Sequence, residues 1–427
     1  MRLLAGGALV TSLARLITLV SIVVINGFVT HLLTKPAAGV YFQLWSAVTF
    51  AAILGQLGFR TAVVTWIARA LHNDCPQDAR GAATTTVRFT LVSYLTCSLL
   101  LATAVGLIKN AYPDLPLSWL GVCLSGIWLL NVGIQYALAE IFRGFSRFAT
   151  AAITGGLLTN LVTSLSLGWL SYYPRAVKLD DVLTVIVVSG LLNSILVLTL
   201  VWNCTRRLPY GPALAPLAAL RYAAPIVVSD VSRSAMEILD TLIVGAAMNS
   251  SQAALYALGA RLSALATVPH QVLISVVAPG IVRTHAGGDK DKLARLLRRC
   301  SLLSALPALA ITVCFGLLGE TIVDFISGPG YAASIPIMVT SSLGHTLALA
   351  ISCGGVALVL TGHQRHLMKI TLLAACFCLL LQFVAASANS DLVIIVAIKG
   401  VVSSCLAIGS HYLCRQQLGV SSHAGFR

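Results

Sequence analysis

Asp230, Arg233, Glu237 and Asp240 stand 3, 4 and 3 residues apart inside the otherwise apolar stretch YAAPIVVSDVSRSAMEILDTLIVGAA. At about 100° per residue, this spacing puts all four within about 80° of one helix face. A charge at the centre of a bilayer costs about 2.5–3.5 kcal/mol even on a lenient scale. Four of them facing lipid would forbid insertion, so the stripe must face a bundle interior or a watery cavity. A guanidinium keeps its proton and offers two parallel donors that suit a diphosphate or a carboxylate. Carboxylates suit sugar hydroxyls, a proton or Na⁺. Asp230–Arg233 (i,i+3) and Arg233–Glu237 (i,i+4) can also form an internal ladder, which still leaves a surplus of acids. Buried ion pairs rarely outdo apolar packing, so the ladder alone does not account for the stripe.

Two more arginines, Arg15 and Arg261, interrupt apolar segments. With them the set holds three acids and three arginines, although each of these two can instead reach the headgroups along its aliphatic stem. Arg15, Arg233, Arg261 and Asp230 are the candidate substrate-binding residues. Glu237, Asp240 and His270 are the candidates for ion coupling. His270 and His345 lie near the middle of their segments, where a histidine can titrate or fill a core hydrogen bond. Lys399 lies close enough to an outer end to snorkel. Pro225, Pro269, Pro279 and Pro307 permit kinks. The 11 cysteines form no framework. Cys376 and Cys378 make a lone C-x-C without a second pair, so no metal, cofactor or catalytic residue is expected.

These residues must be positioned by a chain of 427 residues, 58% hydrophobic and 10% charged, with a mean hydropathy of +0.91. A soluble protein needs far more polar surface, so the composition is that of a polytopic membrane protein. Apolar windows of about 20 residues recur along the chain. They lie near 8–32, 39–59, 84–108, 118–138, 148–170, 182–203, 222–247, 253–281, 300–319, 334–360, 368–387 and 392–414, and predict about twelve membrane helices. With the N-terminus placed in the cytoplasm, twenty of the 28 Lys and Arg fall on inner segments and four (Lys35, Lys109, Arg175, Lys178) on outer loops. The net charge of +14 therefore reports topology rather than a nucleic-acid partner, and both termini are expected in the cytoplasm. The first apolar run is too long for a signal-peptide core. The loops are too short for a soluble catalytic domain, and no G-x-x-x-x-G-K-[ST] phosphate loop occurs, so no enzymatic activity is expected.

The chain also matches itself. SLARLITLVSIVVINGFVTHLLTKPAAGVYFQLWSAV from Ser12 and DVSRSAMEILDTLIVGAAMNSSQAALYALGARLSAL from Asp230 share one plan. Arg15 aligns with Arg233 and, after a turn three residues shorter, Tyr41 aligns with Tyr256. Helix seven would open a second set of six in the same orientation as the first. This predicts an all-α fold of two six-helix bundles, 1–205 and 222–427, joined by a cytoplasmic linker 206–221. Such a parallel pseudo-repeat has its substrate site in a central cavity. At 285–300, HAGGDKDKLARLLRRC predicts a helix capped by Asp289. Its basic residues would lie on anionic headgroups, where they could recruit substrate.

Residues 240–299 resemble the second-half signature of polysaccharide-transport flippases, in the superfamily shared with the multidrug and toxin extruders. The matching pieces are Asp240 and Gly245, Tyr256 and Arg261, Pro269 and Pro279, and Gly287-Gly288-Asp289 before the basic helix. KPAAGVYFQLWSAVTFAAILGQLGFRTAVVTWIAR is similar to the family's helix-two block, and GPGYAAS and TGHQR to its later loops. The resemblance implies two bundles around a cavity that opens alternately to each side of a bacterial inner membrane. It implies a polyprenyl-diphosphate-linked oligosaccharide as cargo, moved to the outer leaflet for cell-surface polysaccharide or O-antigen assembly. Membrane lipids and other membrane proteins of polysaccharide assembly would be its partners. Two alternatives remain. One is an ion-coupled drug or metabolite exporter on the same fold, disfavoured by the arginine in the stripe and by an aromatic content of 7%. The other is an integral-membrane glycosyltransferase or polymerase, disfavoured by the short outer loops.

Overall fold

The computed structural model describes residues 2–56, 59–172, 176–211 and 216–423, with the side chains of 2–12, 15, 59–61, 216–226 and 229 outside the description. Among the described residues every regular element is helical. Hydrocarbon cannot hydrogen-bond a backbone, so a segment crossing it must satisfy its own donors and acceptors.

The chain divides into two compact units, Met1–Val227 and Val228–Arg427. The first holds α1 (Arg2–Leu32), α2 (Lys35–Gln56), α3 (Phe59–His72), α4 (Pro76–Ala111), α5 (Trp119–Gly144), α6 (Phe148–Ala152), α7 (Leu158–Leu170) and α8 (Leu179–Thr205). The second begins within α9 (Pro216–Ala247). It continues through α10 (Ser250–Ser263), α11 (Val268–Ala286), α12 (Lys290–Ser327), α13 (Ile335–Ile351), α14 (Gly354–Leu360), α15 (Gln364–Ser387) and α16 (Leu392–Leu418). Each apolar segment read from the sequence falls on helix. Among the described residues, ten helical runs are long and apolar enough to cross a membrane, and Leu16–Leu32 of α1 adds a shorter one. α9 carries four charged residues, Asp230, Arg233, Glu237 and Asp240, within about three turns. The result is an all-α polytopic fold of two helical bundles.

Local chemistry sets the helix ends. Ser118, Asn249 and Asp289 each accept a hydrogen bond from a backbone N–H three residues on, at 3.1, 2.9 and 2.8 Å, and so start α5, α10 and α12. Gly419 ends α16 in the left-handed conformation. Leu100, Leu165, Leu317, Phe325 and Leu373 are 66–86% exposed; in a spanning helix such side chains belong against lipid tails.

Among the described residues three segments differ from the continuous α-helices expected. Within 253–281, a 3-10 turn at Ala264–Thr267 separates α10 from α11. Within 148–170, a π-turn at Ile153–Leu157 separates α6 from α7, with Gly156 at φ +124°. A side chain there would be strained. The turn exposes the Thr154 carbonyl, which accepts from Asn193 Nδ2 of α8 at 2.9 Å. Within 334–360, the helix breaks at Ser352–Cys353. Ser301 Oγ accepts the freed Cys353 N–H at 3.0 Å, and Ser352 Oγ accepts that of Gly354 at 2.7 Å.

In the first unit α3, α4, α5 and α8 bury Ile67, Leu138, Phe142 and Val201 together. In the second, α9, α10, α13 and α16 bury Val244, Tyr256, Ile337 and Val396 together. There α13 and α16 meet backbone to backbone: a Cβ on Gly344 would stand 2.7 Å from the Gly400 Cα. Small residues allow such close approach in membrane helices, and here they set the depth of the adjacent Lys399.

Candidate functional site

The α9 stripe changes character along its length. Asp230 and Arg233 are exposed and form an i,i+3 pair with Oδ1 and Nη2 3.7 Å apart. Glu237 is exposed one turn on, and Asp240 is 1% exposed. Among the described residues Arg233 forms no salt bridge with Glu237, so the ladder is half made.

Asp240 is the centre of a buried ionic network built by three helices. Lys399 Nζ of α16 lies 2.8 Å from Asp240 Oδ2. The Tyr256 hydroxyl of α10 donates to the same oxygen at 3.0 Å. The Thr241 N–H donates to Oδ1 at 2.7 Å. Lys399 also donates to the Glu237 carbonyl at 3.3 Å, which ties α16 to the stripe twice. A buried carboxylate needs both a counter-ion and hydrogen bonds, and this one has them. Gln382 of α15 is fully buried beside Tyr256 and donates to the Ile395 carbonyl at 3.2 Å. His345 of α13 is within electrostatic reach of Lys399.

Lys399 does not snorkel: it is 7% exposed and committed to Asp240. The stem would reach an interface only by abandoning a buried carboxylate, and that costs more than the interface returns. Its signal in the sequence was a lone cation in LVIIVAIKGVVSSC, set against a stripe with surplus acid.

The other candidates lie apart from this network. Arg261 is half-buried in the last turn of α10, where a cation complements the helix dipole, and is not among the partners of Asp240. His270 of α11 shares a 2.9 Å hydrogen bond with Ser304 of α12. Arg15 lies on α1, and its side chain is outside the described residues. The structure thus joins Asp230 with Arg233, and Asp240 with Tyr256 and Lys399.

The first unit has its own buried polar network, which contains only neutral groups. Asn131 Nδ2 and Gln135 Nε2 of α5 donate to the Val187 and Gly190 carbonyls of α8 at 3.1 and 2.9 Å. Thr159 of α7 donates to Gln135 Oε1 at 2.8 Å and accepts from Asn193 at 3.0 Å. Beside this network is a cavity of about 100 Å³ whose lining includes Asn26, Trp45, Gln135 and Asn160 and no charged residue. Tyr41 and Trp128, also in its wall, stack with centroids 5.9 Å apart. A search for ionisable groups passes over such amides; their signal is Asn131 and Gln135 spaced i,i+4 within one apolar segment.

A family model described as a polysaccharide biosynthesis protein matches residues 28–336. No curated protein matches the chain. Among solved structures, the fold is similar to an inward-facing multidrug resistance MATE family transporter of the MOP superfamily. The TM-score is 0.74 at 13% identity, over 96% of this chain and 98% of that one. An outward-facing MATE family transporter matches with a TM-score of 0.67 at 14% identity, over 98% and 95%. A MOP superfamily transporter from Pyrococcus furiosus, described as having a binding pocket of reverse polarity that suggests a different function, matches at 0.65 and 14%, over 98% and 95%.

Proposed function

Because the chain belongs to the polysaccharide biosynthesis protein family and folds as two all-helical membrane bundles, we propose that it is a flippase for a polyprenyl-diphosphate-linked oligosaccharide. The cargo moves from the cytoplasmic to the outer leaflet of a bacterial inner membrane by alternating access, with both termini in the cytoplasm and no catalytic step. The observation that carries this reading is the open Arg233 in the middle of α9. Its only salt-bridge partner among the described residues is Asp230, also exposed, at 3.7 Å. A pair so loose and exposed contributes little and yields to a bidentate phosphate ligand. Arg15 and Arg261 supply further cations. Glu237, exposed beside Arg233, takes the proton or ion that resets the empty carrier. Asp240 is filled by Lys399, Tyr256 and Thr241 and joins that step only when Lys399 releases it; His270 is the remaining coupling candidate.

Purified protein in liposomes doped with a polyprenyl-diphosphate oligosaccharide should speed the access of an external glycosidase to inner-leaflet headgroups. Arg233→Ala should reduce the acceleration about ten- to hundredfold at normal membrane levels. Full acceleration by the variant would remove Arg233 from the site. No acceleration by the parent with several glycans would favour a drug or metabolite exporter. That second reading draws on the aromatic wall of the first unit's cavity, where Tyr41, Trp45 and Trp128 meet, but the cavity lacks the carboxylate a cationic drug would require.

A further inference from the structure

One cleft of about 610 Å³ in the second unit is lined by four cations: Arg283 of α11, and Lys292, Arg295 and Arg299 of α12, with Gly280 and Thr284 between. All four side chains are exposed. Among the described residues none forms a salt bridge with a carboxylate. Asp291, the nearest acid in sequence to Lys292, Arg295 and Arg299, forms no salt bridge with them among the described residues, and Asp289 is occupied in capping α12 through the Lys292 N–H at 2.8 Å. Gathered like charges repel, and a bound polyanion relieves that repulsion.

The same two helix faces continue as bare apolar surface. On α11, Val272, Val276, Gly280 and Arg283 fall within about 80° of one face; on α12, Lys292, Arg295, Arg299, Leu303 and Leu306 do likewise. Val272, Val276, Leu303 and Leu306 are 39–65% exposed. Cations therefore lie at the charged ends of α11 and α12, and apolar side chains follow toward their spanning parts. A free phosphate compound uses only the first portion, whereas a lipid joins a phosphate to a chain and uses both. We infer that this cleft binds the phosphate headgroup of an anionic membrane lipid. The site is independent of the transport reading, since it names a lipid contact and not the cargo.

The test uses the full chain in dodecyl maltoside micelles, titrated calorimetrically with short-chain phosphatidic acid, short-chain phosphatidylcholine and inorganic pyrophosphate. Phosphatidic acid should bind saturably, and at least about tenfold more tightly than either other probe, as expected when charge-assisted contacts and chain burial act together. Arg295→Gln/Arg299→Gln should weaken it at least about tenfold, the loss of two charge-assisted contacts, with an unchanged melting curve because both side chains are exposed. Arg206→Gln/Arg207→Gln, a pair of exposed cations outside the cleft, should bind like the parent. Equal affinity of the cleft variant and the parent overturns the inference. So does equal weakening in the Arg206/Arg207 control, which would reduce it to general charge, or pyrophosphate binding as tightly as the lipid.

Discussion

Tyr41 and Tyr256 are each the seventh residue of their helices, α2 and α10, and both are buried, yet they meet different neighbours. Tyr41 stacks on Trp128 beside a neutral cavity. Tyr256 donates to a buried carboxylate. The contrast extends through the repeat. Carrying the match of Arg15 with Arg233 along the helix sets Asp240 against Ile22. α8 and α16 are both 27 residues long, and their eighth residues are Ile186 and Lys399. Ile22 and Ile186 both line the first unit's cavity. So where one unit places two isoleucines and surrounds them with amides, the other places an ion pair. The amide network spreads its polarity over many weak bonds and survives the loss of one. The ion pair concentrates it in two residues that are tolerable only together.

Breaking the pair should therefore produce the largest effect. Lys399→Met strands Asp240 in a packed interior and should cost about 3–5 kcal/mol of stability, read by reversible SDS titration of the detergent-solubilised protein. Asp240→Leu/Lys399→Met should recover most of that loss, because the second unit then copies the apolar pair of the first. If the double variant is no better than the single one, the pair fixes the α9–α16 geometry and the two units are not interchangeable at this place.

Next is the contact that sets the depth of Lys399. Gly344→Val drives a side chain into Gly400, only 2.7 Å from the new Cβ, and should cost about 1–3 kcal/mol by overpacking. In the first unit, Gln135→Leu removes bonds to Gly190, Ser194 and Thr159. Hydrogen bonds between membrane helices average about 0.6 kcal/mol each and reach about 1.7. A loss within that range, from the same titration, would sharpen the contrast between distributed and concentrated polarity; a loss matching that of Lys399→Met would erase it.

How much of this was readable beforehand follows from the range over which each signal acts. Spans show in the sequence because apolarity over about 20 consecutive residues is a local property. The Asp289 cap is local too, acting over three residues. The Asp240–Lys399 pair is not: its members are 159 residues apart, and no periodicity says that α16 packs on α13 through Gly400 and so turns Lys399 toward α9. From its own segment alone Lys399 therefore reads as an interfacial residue. The break at Gly155–Gly156 was hidden because its benefit is tertiary, a carbonyl turned toward Asn193 of α8. The stripe itself could be read as one charged face, but its gradient from exposed Arg233 to buried Asp240 could not. That gradient depends on which neighbours stand beside each turn.

The gradient makes the smallest stability effect the most informative one. Arg233 and Asp230 have side chains 66% and 54% exposed and a contact of 3.7 Å, so Arg233→Ala should shift stability by no more than about 0.5 kcal/mol. A charge-assisted hydrogen bond to a cargo phosphate is worth about 1.5–3 kcal/mol, which is roughly a ten- to hundredfold fall in the liposome transport rate. Stability retained and transport lost would divide α9 into an outer part that meets cargo and an inner part that holds the second unit together. If transport instead falls only in proportion to stability, both ends of the stripe are structural. The neutral cavity of the first unit, whose polar groups are free of charge but rich in donors and aromatic faces, would then be the better place to look for the cargo.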